Sequence, residues 1–588
     1  MNWQPVPGNI MTRWAKDVTP ENAWREYPRP QLTRPKWLNL NGLWEYAITP
    51  RTQDVAPEFH KQILVPFPIE SALSGVKHRL QSDERLWYKR TFSIPRAWRE
   101  KRILLHFEAV DWEAKVSVND RLVGEHVGGY IPFWFDITDV LENSENELIL
   151  SVWDPTNTSW QQRGKQVLNP KSIWYTAVSG IWQTVWLEPV PQTYITGLKI
   201  TPDVDSGTAR VKVNLAGTQT GAGEVRVRVM ETGMLIAAEE TNSAEAEVSV
   251  PIPNPKLWNP DSPHLYDLEV TMGEDKVGSY FGMRKFSMEG GRLCLNNQPL
   301  FQFGPLDQGY WPDGLYTPPT DEAMRRDIEL VKRLGCNMLR KHVKVEPSRY
   351  YYYCDQLGLI VWQDMPNGGK AVGDVASFLT ILFGSRRRDR NYRYAGREDK
   401  GSRREYRCEL QEMVDHLHNF ACIGIWVPFN EGWGQFNAKA TAEWLKEYDP
   451  TRLVDHASGW FDQSAGDCKS LHVYFKELPI IRPEKRRATV LSEFGGYSLK
   501  VSEHLWNPLT EFGYKKFSNS EALTDAYISL LESQLQPCID AGLSAAVYTQ
   551  TADVEIEVNG FVTYDREVEK MDFEEVLEAH RRLWKQGM

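Results

Sequence analysis

Hydrophobic and polar residues alternate with a period of two in much of the first half of the chain. Val211–Leu215 and Val225–Val229 show this alternation, and Ile103–Phe107 is a similar strand-like run. Half-buried strands have this period, and long helical periodicity is scarce before residue 290. The pattern predicts a β-rich first half in which residues 195–288 fit a sandwich of roughly 100 residues.

The pattern changes near residue 290, where strand-like runs begin to alternate with amphipathic helical runs. Eight strands are predicted there, at Leu300–Phe303, Asn337–Arg340, Leu359–Trp362, Ile423–Val427, Leu453–Val454, Ser470–Val473, Thr489–Ser492 and Leu543–Val547. Eight β/α units in about 300 residues predict a (β/α)8 TIM barrel.

The composition is that of a water-soluble protein. Of the 588 residues, 41% are hydrophobic and 25% are charged, and the mean hydropathy is -0.49. No uncharged apolar run reaches the length of a membrane span, and Met1–Pro5 does not begin a secretory signal. The seven cysteines are scattered, without zinc-ligand spacing or a disulfide framework. We therefore expect a reducing, cytoplasmic location.

Charge and aromatic content narrow the possible partners. The net charge of -11 disfavours broad contact with nucleic acid. The segment Arg386–Arg407 carries nine arginines, either as a solvated basic loop or as a patch that attracts an acidic sugar or a partner subunit. The 23 tryptophans suit large β cores and also the stacking of sugar rings.

Catalytic residues of a TIM barrel lie at the carboxyl ends of its strands. This rule selects Arg340, Asp364, Asn430, Glu431, His472, Tyr474, Glu493 and Tyr548. Glu431 and Glu493 end the fourth and seventh strands, which lie roughly opposite each other in the ring. Cleavage of a glycosidic bond needs one protonated and one ionised carboxyl group, and this pair can supply them. The alternative for either glutamate is a helix N-terminal or solvated side chain.

Four blocks of sequence resemble glycoside hydrolase family 2, which includes bacterial β-galactosidases, β-glucuronidases and β-mannosidases. The blocks are Trp37–Trp44 with Gly128–Phe133 and Gly180–Gln183, Leu257–Tyr266 with Phe281–Arg284, Gly335–Arg340 through Asp355, and the two glutamate motifs. The resemblance runs from about residue 30 to the end. It implies a jelly-roll sugar-binding domain (residues 1–192), an immunoglobulin-like β-sandwich (193–289) and a TIM-barrel catalytic domain (290–588).

The resemblance also implies roles for individual residues. Glu431 matches the acid/base and Glu493 the nucleophile of a retaining enzyme. Asn430 matches the asparagine that contacts the sugar 2-hydroxyl. Arg340 matches an arginine beside the nucleophile, and Tyr474 a tyrosine that hydrogen-bonds it.

Further substrate contacts are predicted at four positions. Asp364 follows the third barrel strand, and Trp433 follows the acid/base. Tyr548 stands where the family often has tryptophan. Asp307 is either a loop cap or a contact to a sugar hydroxyl. The alternative use of Trp433 is packing, and no metal ligands and no cofactor are predicted.

Two departures from the family leave the sugar open. His342 is one position away from the family's histidine, which falls on Val343, and is either structural or solvated. The Asn-x-Lys motif of β-glucuronidases reads Asn559-Gly560-Phe561, without the lysine. The sequence thus predicts a retaining exo-β-glycosidase, nominally a β-galactosidase, whose partner is its carbohydrate substrate. A homo-oligomer is also an expectation. The alternatives are a β-glucuronide, β-mannoside or arabinoside as substrate, or a carbohydrate-binding protein with an inactive barrel.

Overall fold

A computed structural model describes residues 3–8, 10–217, 224–241, 247–370, 388–479 and 482–586. The chain forms a two-sheet β domain, a smaller β-sandwich and a parallel barrel, in that order. The fold class predicted from the sequence is confirmed. The boundaries at residues 192 and 289 remain predictions, and Glu289 is the last residue of a strand that pairs with the next one across a short turn.

The first domain is a β-sandwich of one six-stranded and one four-stranded sheet, in the orders β3-β2-β4-β10-β7-β8 and β1-β14-β5-β9. Its strands are β1 Leu38–Asn39, β2 Gly42–Pro50, β3 Lys61–Val65, β4 Glu84–Ser93, β5 Arg102–Phe107, β6 Val110–Asp111, β7 Glu113–Val118, β8 Arg121–Val127, β9 Phe133–Asp136, β10 Glu145–Trp153, β11 Gln166–Val167, β12 Tyr175–Thr176, β13 Gly180–Ile181 and β14 Val185–Val190. Apolar side chains of both sheets share one core. Asn119 and Asp120 form the turn between β7 and β8, both with positive φ, as a two-residue hairpin requires.

The second domain packs a three-stranded sheet (β15-β16-β19) with a four-stranded sheet (β18-β17-β20-β21). Its strands are β15 Thr193–Asp203, β16 Thr208–Gly217, β17 Val225–Glu231, β18 Met234–Thr241, β19 Glu247–Pro251, β20 Tyr266–Met272 and β21 Asp275–Phe281. Val225, Val227 and Val229 are buried while the intervening arginines are partly exposed. The period-two pattern therefore identifies the buried face of this sandwich.

A small antiparallel sheet of β22 Phe286–Glu289, β23 Arg292–Leu295 and β24 Gln298–Pro299 leads into the barrel. The barrel strands are β25 Gln302–Asp307, β26 Met338–Lys341, β27 Ile360–Asp364, β28 Ile423–Val427, β29 Leu453–Val454, β30 Cys468–Val473, β31 Ala488–Gly495 and β34 Ala545–Thr549. Their parallel order is β29-β28-β27-β26-β25-β34-β31-β30, so chain order and ring order agree. Each of the eight predicted strands overlaps one of these.

The helices and remaining strands surround the barrel. They are α1 Asp321–Arg333, α2 Ser348–Leu357, α3 Lys400–Leu417, α4 Ala438–Tyr448, β32 Tyr497–Leu499, β33 Lys515–Phe517, α5 Ser520–Leu530, α6 Gln536–Asp540 and α7 Phe573–Gln586. Thr320 caps α1 by accepting a hydrogen bond from the Ala323 amide, and acidic residues occupy its first turn, where the helix dipole favours them. None of the helices in the described ranges is both long and apolar enough to cross a bilayer.

Residues 154–182 of the first domain, called here the crossing segment, reach across the barrel mouth. The amides of Arg163 and Gly164 each donate to the carbonyl of Asn367, at 3.0 Å, in the loop after β27. Further along, the Thr176 amide donates to Glu555 Oε1 at 2.8 Å, in the loop after β34. The first domain therefore forms one wall of the space above the carboxyl ends of the strands.

The arginine-rich segment is only partly described, since Arg386 and Arg387 lie outside the described residues. Arg388 and Arg393 are exposed, whereas Arg397 is fully buried. Its Nη1 donates to Gln162 Oε1 at 2.7 Å and to Ser402 Oγ at 2.9 Å. At least this arginine therefore connects the crossing segment to the barrel instead of forming a solvated basic loop.

Candidate active site

Glu431 and Glu493 face each other at the carboxyl ends of β28 and β31, with His472 between them. One carboxylate oxygen of each glutamate and Nδ1 of His472 all lie within 4.8 Å of one another. Glu493 is 4% exposed, and the side chain of Glu431 is 17% exposed. The two carboxyl groups are thus close, sheltered and still accessible to a small ligand. This donor set is also one that a divalent cation accepts, so the predicted absence of an essential metal remains a prediction.

Arg340 lies beneath the pair and is fully buried. Its Nη1 donates to Glu493 Oε1 at 3.1 Å, and its Nη2 donates to Asn430 Oδ1 at 2.9 Å. Its Nε and Nη2 form a two-point ion pair with Asp364, each at 2.9 Å. A guanidinium group fixed in this way holds Glu493 and Asn430 in one geometry and puts a positive charge beside the Glu493 carboxylate.

Tyr474 contacts the other oxygen of Glu493. Its hydroxyl donates to Oε2 and lies 2.9 Å from Thr549 Oγ1. Its ring stacks on Tyr514, with centroids 4.0 Å apart. Burial and the charge of Glu493 raise the pKa of Tyr474 well above its usual value, so the hydroxyl stays protonated and remains a donor.

The backbone of Glu431 has a conformation that side-chain-bearing residues rarely adopt. Its φ is 51°, and its amide donates to the carbonyl of Ser458 at 2.8 Å. His472 Nδ1 lies 2.9 Å from Glu431 Oε1, and its Nε2 lies 3.0 Å from Ser458 Oγ. Such strain persists where surrounding contacts fix the residue, as is common at functional sites.

The pKa of Glu431 is lowered from its usual value. Burial raises it, but the contact with His472 and the charges of Lys165 and Arg340 lower it by more. The contact with His472 is the largest of the influences that lower the pKa of Glu431.

Trp433 lies at the edge of the site, where the crossing segment meets the barrel. It forms an edge-to-face pair with Trp174, with centroids 4.8 Å apart, and the guanidinium of Arg163 lies 5.4 Å from its ring centroid. Both tryptophans are partly exposed. Trp433 therefore packs against a neighbour while part of its ring stays exposed, and its stacking on a sugar remains a prediction.

Three predicted substrate contacts, Asp364, Asp307 and Tyr548, are held by groups of the barrel, and their contact with substrate remains a prediction. Asp364 is fully buried, and its carboxylate is occupied by Arg340 and by Nδ1 of His342 at 2.9 Å. The carboxylate of Asp307 pairs with Lys341 at 2.7 Å and accepts from other groups. Tyr548 is fully buried, and its hydroxyl accepts from the Tyr497 amide at 3.2 Å. Each of these three side chains thus has a partner in the barrel.

Two residues near the glutamates were not among the predicted site residues. His342, which is 2% exposed, contacts Asp364 and is neither solvated nor remote. Burial lowers its pKa well below the usual value, and the charge of Lys165 lowers it further, so the ring is neutral. The position of His342, two residues after Arg340 at the end of a barrel strand, could have identified it from the sequence as a residue near the site. Lys165 lies in another domain, and no local pattern pointed to it.

Comparison with known proteins agrees with the three-part fold. Residues 50–191 match the model of the glycosyl hydrolases family 2 sugar binding domain. Residues 193–284 match the model of glycosyl hydrolases family 2, and residues 315–498 match the family's TIM barrel domain.

Curated relatives are named for two activities. A putative β-glucuronidase from Formosa agariphila is 25% identical over 460 residues, which are 73% of this chain and 52% of that protein. A β-galactosidase from Thermoanaerobacter pseudethanolicus is 27% identical over 365 residues, covering 59% and 44%. The chain spans about half the length of the curated relatives it matches.

Solved structures share the architecture over nearly the whole chain. A β-D-glucuronidase from Dictyoglomus thermophilum has a TM-score of 0.73 at 18% identity and covers 95% of this chain and 98% of its own. A Ruminococcus gnavus β-glucuronidase has a TM-score of 0.74 at 17% identity, covering 96% and 99%. At these identities the likeness concerns the fold. With three successive domain models matched in order, the chain belongs to glycosyl hydrolases family 2.

Proposed function

We propose that this protein is a retaining exo-β-glycosidase that works by double displacement. The observation that carries the proposal is the short separation of the two glutamates, whose nearest functional oxygens lie within 4.8 Å. Retaining enzymes place their carboxyl groups about 5–5.5 Å apart, whereas inverting enzymes need about 6.5–9.5 Å to admit a water molecule. The pair in this site fits the first class.

Glu493 is the proposed nucleophile. Arg340 and Tyr474 each donate a hydrogen bond to one of its oxygens, and such bonds stabilise a carboxylate. In the first step Glu493 attacks the anomeric carbon and forms a covalent glycosyl ester while the aglycone departs.

Glu431 is the proposed acid/base, working with His472. In the first step the carboxylic acid form of Glu431 protonates the leaving oxygen, and in the second its carboxylate removes a proton from the attacking water. In the free protein the pKa of Glu431 is lowered. Binding of a sugar excludes water from the site, which favours the neutral acid form of Glu431.

The remaining polar groups suit a sugar. Asn430 Oδ1 is held by Arg340, and within the described residues its Nδ2 makes no hydrogen bond, so that amide group is available to the 2-hydroxyl. Trp433 is placed to stack on a sugar ring. The crossing segment walls off one side of the barrel mouth, which favours a terminal sugar over the middle of a chain.

A β-galactoside is the nominal substrate of this proposal, and carbohydrate is its partner class. The second candidate is a β-glucuronide, since one curated relative and both solved structures described above carry β-glucuronidase in their names. A homo-oligomer and a cytoplasmic location stay predictions.

The test is turnover of activated aryl β-glycosides by Glu493→Gln and Glu431→Ala. Glu493→Gln should lose several orders of magnitude in kcat. Glu431→Ala should lose much less on a substrate with a good leaving group, and added azide should restore its turnover with formation of a β-glycosyl azide. An α-glycosyl azide, or full activity of Glu493→Gln, would overturn the assignment, and binding without hydrolysis across a broad glycoside panel would favour a carbohydrate-binding protein.

A further inference from the structure

Lys165 is a buried lysine whose charge is not neutralised by a contact. It belongs to the crossing segment and is only 7% exposed. Within the described residues, its ammonium group makes no hydrogen bond and no ion pair. Lysine is almost never buried in this way without a partner, because removing the ammonium from water is costly. A ligand that supplies the missing partner would explain the placement.

The backbone of Lys165 is fixed against the barrel by its neighbour Gly164. Gly164 has a φ of +58°, and a Cβ atom added to it would lie 2.6 Å from the carbonyl oxygen of Val343 and 2.7 Å from the Tyr316 hydroxyl. Only glycine allows this approach, which brings Lys165 next to the loop that carries His342. The lysine is therefore held in position by the fold and is not a surface side chain that happens to fold inward.

The charge of Lys165 acts on groups of the active site. It lowers the pKa of Glu431, opposes the rise in the pKa of Glu557 that burial causes, and lowers the pKa of His342 further. The ammonium also lies 5.4 Å from the ring centroid of Trp174. The cation thus shares the space above the strand ends with Glu431 while remaining in contact with none of these carboxylates.

The groups around Lys165 already have other partners. Glu557 accepts from the Tyr175 hydroxyl and from Asn559 Nδ2 at 2.9 Å. Glu431 is paired with His472. An anionic group of the substrate is therefore the partner that neutralises the charge of Lys165 while leaving the contacts of Glu431 and Glu557 in place.

We propose that Lys165 binds an anionic substituent of the glycone, so that acidic β-glycosides are preferred over the neutral β-galactoside named above as the nominal substrate. The substituent is a carboxylate, as in a uronic acid, or a sulfate ester on a neutral sugar. An ammonium group serves either anion because it is a compact charge with three donors. The inference rests on the proposed glycosidase function and adds a residue from the first domain to substrate selection.

The experiment compares kcat/KM for three para-nitrophenyl β-glycosides: the galactoside, the glucuronide and a galactoside sulfated at its primary hydroxyl. The wild type should favour one of the two anionic substrates, and which one it favours identifies the anion. In Lys165→Met the ratio of anionic to neutral kcat/KM should fall by about 100-fold, mainly through KM, because a buried charge-assisted contact is lost. Lys165→Arg should recover part of the ratio. Lys171→Met, which removes an exposed lysine from the same segment, should leave it unchanged.

Three outcomes would overturn the inference. The first is a wild type that prefers the neutral galactoside over both anionic substrates. The second is an equal loss on charged and neutral substrates in Lys165→Met, which would make Lys165 a structural residue or one that acts only on Glu431. The third is a ratio of anionic to neutral kcat/KM in Lys165→Met that equals the ratio in the wild type. If the glycosidase proposal itself is wrong, the wild type should cleave none of the three substrates. Calorimetry would then still test Lys165, by comparing the binding of glucuronate and of galactose to the wild type and to Lys165→Met.

Discussion

His472 Nδ1 lies 2.9 Å from Glu431 Oε1, so the imidazole is the immediate hydrogen-bonding partner of the proposed acid/base. The same nitrogen is 3.5 Å from Glu493 Oε2. A histidine between the two carboxyl groups controls where a proton resides, because burial alone would favour a neutral Glu431 and the histidine contact opposes this.

Replacing His472 by asparagine should therefore raise the pKa of Glu431. The protonated acid is required for the first step, so the alkaline limb of the pH profile of kcat/KM should move to higher pH. The measurement is the pH dependence of kcat/KM on a substrate with a poor leaving group. Ser458→Ala, which removes only the partner of Nε2, should shift the limb less. A limb that stays fixed or moves to lower pH in His472→Asn would show that the histidine does not control this proton.

Arg340 and Asp364 form a fully buried ion pair with two parallel hydrogen bonds. Arg340→Met should destabilise the barrel by about 3–5 kcal/mol, because it leaves the carboxylate of Asp364 buried without its cation. Adding Asp364→Leu should recover part of that loss, because the uncompensated charge is then removed. Thermal unfolding of the single and double variants measures this coupling. Strictly additive effects would mean that the pair does not act as a unit.

The strand-end rule found Glu431, Glu493 and Arg340 because backbone geometry alone brings the carboxyl ends of parallel strands together. The same rule selected Tyr548, and the buried position of its ring has an equally local reason. Successive side chains of a strand point to opposite faces, so Tyr548 packs outward on Tyr527 while the next residue, Thr549, contacts Tyr474 inside the site. A one-residue error in register exchanges a core residue for a site residue.

Other features depended on tertiary contacts that no local pattern reports. Asp307 was predicted to cap a loop or to contact a sugar hydroxyl; it accepts from the Gly309 amide as a loop cap does, but its pairing with Lys341 of the neighbouring strand was not foreseen. Lys165 is more than 250 residues from Glu431 in sequence and approaches it only because the first domain docks on the barrel mouth. Periodicity predicts elements and their faces, whereas the partners of buried charges follow from how the domains pack.

Glu70 makes the stability of the first domain depend on pH. Burial, with a contribution from the nearby charge of Asp154, raises its pKa to about 8 from the usual 4.5, although the Ser179 amide lowers it in part. The folded protein then holds a proton that the unfolded chain releases. The associated stability is fully present below about pH 4.5 and is lost as the pH rises through about 8.

Glu70→Gln should remove this loss, since glutamine cannot ionise. Relative to the wild type, the variant should gain about 2–4 kcal/mol between pH 5 and pH 9, at about 1.4 kcal/mol per pKa unit. Unfolding of the first domain followed by urea denaturation at a series of pH values measures the difference. Glu145→Gln, at an exposed position in the same domain, is the control. Parallel curves for Glu70→Gln and the wild type would contradict the prediction.

Tyr474→Phe should weaken catalysis without changing the fold. The variant keeps the ring stacked on Tyr514 and removes the hydroxyl that donates to Glu493. A hydrogen bond to a charged group contributes about 1.5–3 kcal/mol, which corresponds to a loss of about 10- to 100-fold in kcat/KM.

The matched control is Tyr548→Phe, a buried tyrosine whose hydroxyl accepts a hydrogen bond from the Tyr497 amide. Its removal should cost about 1 kcal/mol of stability and leave kcat/KM within a few-fold of the wild type. Steady-state kinetics and thermal unfolding of the two variants separate the effects, because the first should change mainly turnover and the second mainly the melting temperature. If Tyr548→Phe instead raised KM and lowered kcat/KM as much as Tyr474→Phe, Tyr548 would be a substrate contact after all, and the outward orientation of its ring would be wrong.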